Sequence, residues 1–292
     1  MENKEREARE VLREKSSLYD PEGKKLCDIE YSLLNGEICK IQPIPFSNTE
    51  KTAEKNEEIV FCTTEEGKNV HEEDVSRAEA REKGLRYLVV TTLLFHGKEM
   101  LLQKRSSEKK IDPGKYSASA HGVAKQLYFQ NGSKVRNEDN TALVNTALEI
   151  NEELRHGEET PSFSIDVWQG TVHELNRWAE ANQINDPDTI YLVPTAFYND
   201  DGYPLGDRTQ KRTRALSMGF IFSKEKPSLS IDPSELSSVE WEKASEFSED
   251  PGMTEDLQSC VDAAFAQLEE ESIQKHSAEI AKKALRQIFS QE

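Results

Sequence analysis

Apolar and polar positions are distributed unevenly along this chain. Near the N-terminus, CDIEYSLL (27–34) and EICKIQPI (37–44) flank Asn35-Gly36. Asn-Gly between strand-like runs predicts a hairpin, because both residues accept positive φ. Residues 1–16 read as a polar helix, and SNTEKTAEKNEE (47–58) as a polar linker. Strong apolar runs recur from there onward. IVFCTT (59–64) predicts a short strand and 72–83 a charged helix. YLVVTTLLF (87–95) and EMLLQKR (99–105) predict a second hairpin around His96-Gly97-Lys98, with Pro113-Gly114 as a turn. Residues 127–140 read as a polar loop.

The clearest helical period lies in TALVNTALEINEEL (141–154). Leu143, Ala147, Ile150 and Leu154 recur at i, i+4, i+7 and i+11, and Asn140 offers an N-cap. Further on, 172–184 predicts a helix, 189–198 and 214–223 strands, and 237–247 a strand turning into a helix. Thr254 can cap a final helix with Leu257, Val261, Ala264 and Leu268 as its apolar stripe. Lys282, Lys283 and Arg286 suit that helix's C-terminal dipole end. No internal repeat is present, and strands and helices are mixed without regular βαβ alternation, which predicts an α+β chain.

Charge narrows the partners. The 292 residues carry a formal net charge of −18, with 35 % apolar and 32 % charged positions. Such a field repels phosphate backbones and anionic lipid, so neither nucleic acid nor a membrane surface is an expected partner. A small anionic substrate can still bind through a local basic patch or a bridging metal. The opening MENKEREAREVLREK is too charged for a secretory signal, and the longest apolar run (87–95) is about half a membrane span. Cys27, Cys39, Cys62 and Cys260 show no CxxC spacing and read as free thiols of a cytoplasmic protein.

Glu149, Glu152 and Glu153 project from one side of the helix at 141–154, beside its apolar stripe. Three close carboxylates suit a hard divalent cation, since Mg²⁺ takes oxygen ligands. They are equally what a solvated helix face carries in an acid-rich chain. The same E-x-x-E-E spacing occurs at 54–58 within the linker, so the pattern alone decides nothing.

The surrounding order of features decides more. A strand and turn (IVFCTTEEGKNV), the charged SRAEAREKGL, the hairpin through KR, SSEKKIDPGKYSASAHG, the helix ALEINEEL and a late DPSELSSVEW follow one another. In this, residues 58–247 resemble a Nudix hydrolase domain, nearest to the branch of isopentenyl-diphosphate isomerase. The resemblance implies an α/β/α sandwich with a mixed sheet. Around it lie an N-terminal extension over 1–57 with its β-hairpin, insertions near 123–140 and 157–188 in the domain at 58–250, and a C-terminal helix over 251–292.

The family signature is G-x5-E-x7-R-E-U-x-E-E-x-G-U, where U is apolar. Glu149, Ile150, Glu152 and Glu153 occupy its E, U, E and E positions, and Gly122 its first glycine. Leu148 stands at the arginine, Asn140 at the upstream glutamate and Arg155 at the closing glycine, with about a dozen residues inserted after Gly122. Gly132 and Glu138 satisfy G-x5-E out of register. Leu148 cannot make the charged contact that ties loop to helix in the family.

What the resemblance implies is Mg²⁺- or Mn²⁺-dependent hydrolysis of a diphosphate linkage in a nucleoside-diphosphate derivative or related metabolite. Glu149, Glu152 and Glu153 would be catalytic carboxylates and metal ligands, with Glu235 a further ligand. Arg105, Lys109 and Lys110 would meet the substrate diphosphate beside Gly122. The departures from the signature point to an alternative, a domain that binds a nucleotide-like ligand or scaffolds a partner without catalysis.

Isomerase chemistry fits less well, because Ser117-Ala118-Ser119-Ala120-His121 lacks the cysteine it needs, Tyr87 stands where a histidine ligand would fall, and His121 reaches a ligand position only through a gap. Arg208, Lys211, Arg212 and Arg214 read as a charged loop or a second phosphate contact. Trp168, Trp178, Tyr198 and Trp241 read as packing side chains before base-stacking ones. A homodimer through the final helix is a possible assembly.

Overall fold

The computed structural model describes residues 13–32, 36–45, 58–63, 73–109, 112–156, 161–205, 208–243, 254, 257–264, 266 and 268. Its spine is β5 (Arg86–His96), buried at every position but the last. One edge of β5 takes β12 (Arg208–Ile221) in parallel from Tyr87 to His96. The other edge is shared by three short strands: β4 (Cys62–Thr63), β8 (Ala120–Val123) and, only at Phe95 and His96, β6 (Glu99–Arg105). β5 and β6 therefore meet at the Gly97 turn and splay apart beyond it. β7 (Tyr116–Ser117) stays with β6, while β8 stays with β5. Ser119 bridges the gap: its hydroxyl accepts from Leu94 N at 2.8 Å and donates to Leu101 O at 2.5 Å.

Beyond β12 the sheet continues through β11 (Thr189–Leu205), β10 (Ser164–Val167), β3 (Ile38–Pro43), β2 (Lys25–Ser32), β1 (Arg13–Tyr19) and β9 (Tyr128–Phe129). β10 lies parallel to β11 and antiparallel to β3, so the N-terminal strands prolong the main sheet. β13 (Leu236–Lys243) covers the other side of β6.

Helices lie on both faces. α1 (Arg77–Glu82) starts at a capping box between Ser76 and Glu79. α2 (Glu138–Leu154) buries Leu143, Val144, Ala147, Leu148, Ile150 and Leu154 in one cluster with Leu18, Ile29 and Ile41 of the N-terminal strands and Ile165 and Leu192 of the main sheet. α3 (Val172–Ala181) and the helical segment 257–264 cover the opposite face, where Val172, Leu175, Leu257 and Val261 meet Leu93, Phe95 and Met218. This is the expected mixed-sheet sandwich. Thr254 Oγ1 accepts from Leu257 N at 3.1 Å, as the predicted cap requires.

Several expectations are corrected. Residues 13–16 are strand, not helix, so the N-terminal hairpin is a three-stranded meander; residues 1–12 lie outside the described residues. β1 exposes or half-exposes six of its seven residues and buries Leu18 alone, so its sequence lacks the apolar alternation that betrays a strand. α2 begins three residues early, capped by Asn137, whose Oδ1 accepts from Asn140 N at 2.7 Å. Asn140 is thus inside the first turn, and the polar loop before it contains β9. Of the predicted strand at 59–64, Cys62–Thr63 is regular and Ile59 and Val60 form isolated bridges, while Thr64 lies outside the described residues. The basic run at 208–214 is strand rather than loop, and Arg212 and Arg214 are 4 % and 1 % exposed. The helical part of 237–247 and the final helix beyond 268 lie outside the described residues. The four cysteines are free thiols.

Candidate active site on helix α2

Along most of its length α2 presents a polar stripe at helical spacing: Thr141, Asn145, Glu149 and Glu152, with Glu153 beside it. The stripe faces β8 and the segment after it. Gly122 in β8 lies opposite Val90 of β5, and a Cβ there would overlap the carboxylate carbon and both oxygens of Glu149. Only glycine leaves room for that carboxylate against the strand. Burial, and then the charge of Glu152, push the Glu149 carboxyl well above its ordinary value; Lys125 opposes this, while Glu153 and Glu58 add to it.

The other two carboxylates turn to separate partners. Glu153 Oε2 accepts from Gln103 Nε2 at 3.0 Å and from the His121 backbone N–H at 3.1 Å. Glu152 Oε1 lies 2.8 Å from Lys125 Nζ, which is also 3.6 Å from Glu58 Oε1. Burial alone would lower the Lys125 pKa, but Glu152, Glu149 and Glu58 outweigh it and raise it. Asn145, 1 % exposed, clamps Lys125 through both backbone groups: its Oδ1 accepts from Lys125 N at 2.8 Å, and its Nδ2 donates to Lys125 O at 3.1 Å and to Thr141 O at 2.9 Å.

His121, one residue before Gly122, turns its ring to the opposite face of β8. Its Nδ1 lies 3.0 Å from Thr91 Oγ1, which also accepts from Arg214 Nη1 at 2.9 Å. Burial holds the imidazole well below its usual pKa, helped by Arg214, Arg212, Arg105 and Arg77. The ring therefore packs and bonds on the arginine side, and only its backbone N–H touches a site carboxylate.

The remaining candidate residues divide. Lys109 and Glu235, read as substrate-binding and metal-binding, form an ion pair with each other at the rim between β6 and β13. Arg105 ends β6 and contributes to the positive field at His121. Lys110 lies outside the described residues. Leu148 is a core residue, 7 % exposed. Arg155, at the position of the closing glycine, is buried over the Phe163 ring at 3.8 Å and paired with Asp188 at 2.6 Å. The end of α2 is fastened there by Ser230, which donates to Leu154 O at 2.9 Å and accepts from His156 N at 2.9 Å.

Trp168 and Trp178 pack ring to ring at 5.3 Å, Trp178 meets Tyr191 at 5.4 Å, and Trp241 lies edge-on to His96 at 5.8 Å. Tyr198 OH lies 3.7 Å from Cys260 Sγ, so all four aromatics serve packing.

Sequence reasoning missed Lys125, Asn145, Gln103, Thr91 and Glu58. Asn145 had a signal, since it stands one turn before Glu149 on the same stripe. Glu58 had a misleading one, as the last glutamate of the second E-x-x-E-E copy. Glu58 accepts the Arg77 backbone N–H at 2.8 Å through its own carbonyl, which fixes it beside the carboxylate helix.

Carboxylate oxygens are the right donors for a hard divalent cation, and Glu58, Glu149, Glu152 and Glu153 outnumber the one ammonium among them. Among the described residues, however, no three His, Cys, Asp or Glu side chains converge as a ready metal cage. Glu152 and Glu58 turn to Lys125, Glu153 turns to Gln103 and the His121 amide, and Glu149 lies against Gly122. Among the described residues, no helix is long and apolar enough to cross a membrane.

A scan against protein-family models finds no match, and a search of curated proteins finds none either. Solved structures give general likenesses. A MutT Nudix hydrolase from Burkholderia pseudomallei shares 12 % identity over 61 % of this chain and 97 % of its own, with a TM-score of 0.36. The Nudix domain of Shewanella oneidensis NrtR, complexed with ADP ribose, shares 12 % over 63 % and 88 %, with a TM-score of 0.35. The E. coli dihydroneopterin triphosphate pyrophosphohydrolase shares 10 % over 60 % and 91 %, with a TM-score of 0.34.

Proposed function

We propose that the chain hydrolyses a diphosphate linkage in a small metabolite, such as a nucleoside-diphosphate derivative, at the carboxylate face of α2. The observation that carries this reading is the seat of Glu149 on Gly122, where the bare backbone of β8 admits a carboxylate beside two more. A solvated helix face would not require a glycine opposite it.

Glu149 is the proposed general base. Its raised pKa suits it to take a proton from water as the water oxygen bonds to phosphorus. The bridging P–O bond breaks, and the leaving phosphate keeps that electron pair. Glu152 and Glu153 are the residues that would hold Mg²⁺ or Mn²⁺, which when bound neutralises diphosphate oxygens and polarises the water. Gln103 and the His121 amide orient Glu153. Arg105, at the end of β6, and Lys110 are proposed as contacts to the substrate diphosphate, while Lys109 and Glu235 pair with each other.

A second reading, a ligand-binding domain without turnover, is favoured by one observation: Lys125 already occupies Glu152. Product release from nucleoside-diphosphate sugars, dinucleoside polyphosphates, ADP-ribose and prenyl diphosphates separates the two. Metal-dependent turnover lost in Glu153→Gln supports hydrolysis. Ligand-induced thermal stabilisation without turnover supports the binding domain.

A further inference from the structure

We propose that Lys125 is a built-in counter-cation of the carboxylate face, and that a divalent cation enters only by displacing its ammonium from Glu152 and Glu58. This rests on the hydrolytic reading of the same site, and it changes what that site is at rest: lysine-closed rather than metal-ready.

The backbone supports the assignment first. A surface lysine is tethered by its own chain and little else. Lys125 has both backbone groups bonded to the buried Asn145 amide, which is itself tied to Thr141 O. An isolated bridge joins Lys125 to Val60 on the other side. The Cα is thus fixed between α2 and the segment carrying Glu58, and only the four-carbon stem is free to move. A fixed root with a swinging charge is what a displaceable plug requires.

The charges supply the second part. The ammonium reaches Glu152 at 2.8 Å and Glu58 at 3.6 Å with its side chain 21 % exposed, so both the pair and a path to water are present. The Lys125 ammonium faces Glu152, Glu149 and Glu58, and the Arg77 guanidinium interacts with Glu58 and Glu149, so the four carboxylates, with Glu153, still outnumber the cations among them. Exchanging the ammonium for a divalent ion leaves less uncompensated negative charge at the site, and the released ammonium regains its hydration. Metal affinity is then lowered in proportion to the fraction of molecules in which Lys125 holds the carboxylates.

Mn²⁺ titration of the metal-free full chain, followed by the paramagnetic resonance of free Mn²⁺, tests this without any turnover. Lys125→Met keeps the stem and removes the charge. It is expected to bind Mn²⁺ about tenfold more tightly than wild type, the effect of some 1.4 kcal/mol of competition. Glu152→Gln should abolish the gain. Unchanged or weaker binding in Lys125→Met overturns the proposal.

A second measurement uses the unaltered protein and is immune to misfolding of the variant. Amine acetylation read by mass spectrometry should show Lys125 labelled faster when Mg²⁺ is saturating. If the ion binds and Lys125 labelling stays unchanged, the plug is disproved. Metal-dependent turnover with no Lys125 effect in either assay sinks this inference and leaves the hydrolytic reading intact. Absence of Mn²⁺ binding in both proteins sinks both.

Discussion

His121 and Gly122 are neighbours in β8, yet they serve opposite chemistries. Gly122 faces α2, where Glu149 and Glu152 gather around Lys125 and Glu153 accepts from Gln103. His121 faces the other way, toward Thr91 and the buried guanidinium of Arg214, with Arg212 and Arg105 adding to the positive field, while Arg77 acts on His121 and also on Glu149 and Glu58. Side chains alternate across a strand, so one residue's step separates an acidic face from a basic one. The comparison teaches that the site's charge balance is not local to the helix. A carboxylate nest lies against one side of a thin strand whose other side is cationic, and the His121 amide donating to Glu153 is a bond that crosses between them.

If the acidic face is the working one, disturbing it should cost activity, whereas disturbing the basic face should cost stability. The largest expected effect is that of Gly122→Ala. The new methyl must push the Glu149 carboxylate aside, and because that carboxylate ends a flexible side chain, the fold should survive. Turnover should fall about 100-fold, the typical penalty for misplacing a reacting group by an ångström, with the melting temperature within a few degrees of wild type. A variant that keeps its turnover would remove Glu149 from the proposed chemistry.

Arg214→Met probes the other side. It removes a charged donor to Thr91 from a position 1 % exposed. The expected loss is about 1.5–3 kcal/mol of stability, the range for hydrogen bonds to charged groups, measured by denaturant unfolding. A stable variant that has lost activity would invert the assignment of the two faces.

How much of this was legible in the sequence follows from the same distinction between local and distant contacts. The helix at 141–154, the hairpin around Gly97 and the capped helix after Thr254 were legible because period, turn residues and caps are local. Gly122 and the three glutamates were named through the family resemblance and not through spacing, which the copy at 54–58 repeats. β1 was not, because its strand character lies in pairing with β2 and β9 rather than in its own polar residues. The basic run was misplaced because Arg212 and Arg214 are tolerated in a buried strand only through partners that are distant in sequence, such as Thr91. Lys125 and Glu58 were invisible for the same reason: 67 positions separate them, and nothing in either neighbourhood announces an ion pair.

Asn145→Ala sharpens the comparison at smaller scale. It deletes the clamp on both backbone groups of Lys125 and leaves a part-buried N–H without its acceptor. A cost of about 1–2 kcal/mol is expected by chemical denaturation. If Asn145 also positions Lys125, the Asn145→Asp variant should restore the bond from Lys125 N and part of the wild-type Mn²⁺ affinity, a rescue that a purely structural role would not produce.

The smallest expected effect is one of pH, and it has opposite signs on the two faces. Glu149 holds its proton to higher pH in the fold than in the unfolded chain, where a glutamate ionises near 4.3. Between those values the folded state binds more protons, so stability falls as pH rises, and above them the full penalty remains. Glu149→Gln carries none of it. Its melting temperature should match wild type below about pH 4 and exceed it at neutral pH. His121 behaves in reverse. Its imidazole stays neutral in the fold while the unfolded chain takes up a proton below about 6.5, so stability falls as pH drops. His121→Asn should flatten that acid limb and leave the neutral one alone. Equal pH profiles for wild type and both variants would mean that the strand between the two faces isolates neither charge population from water.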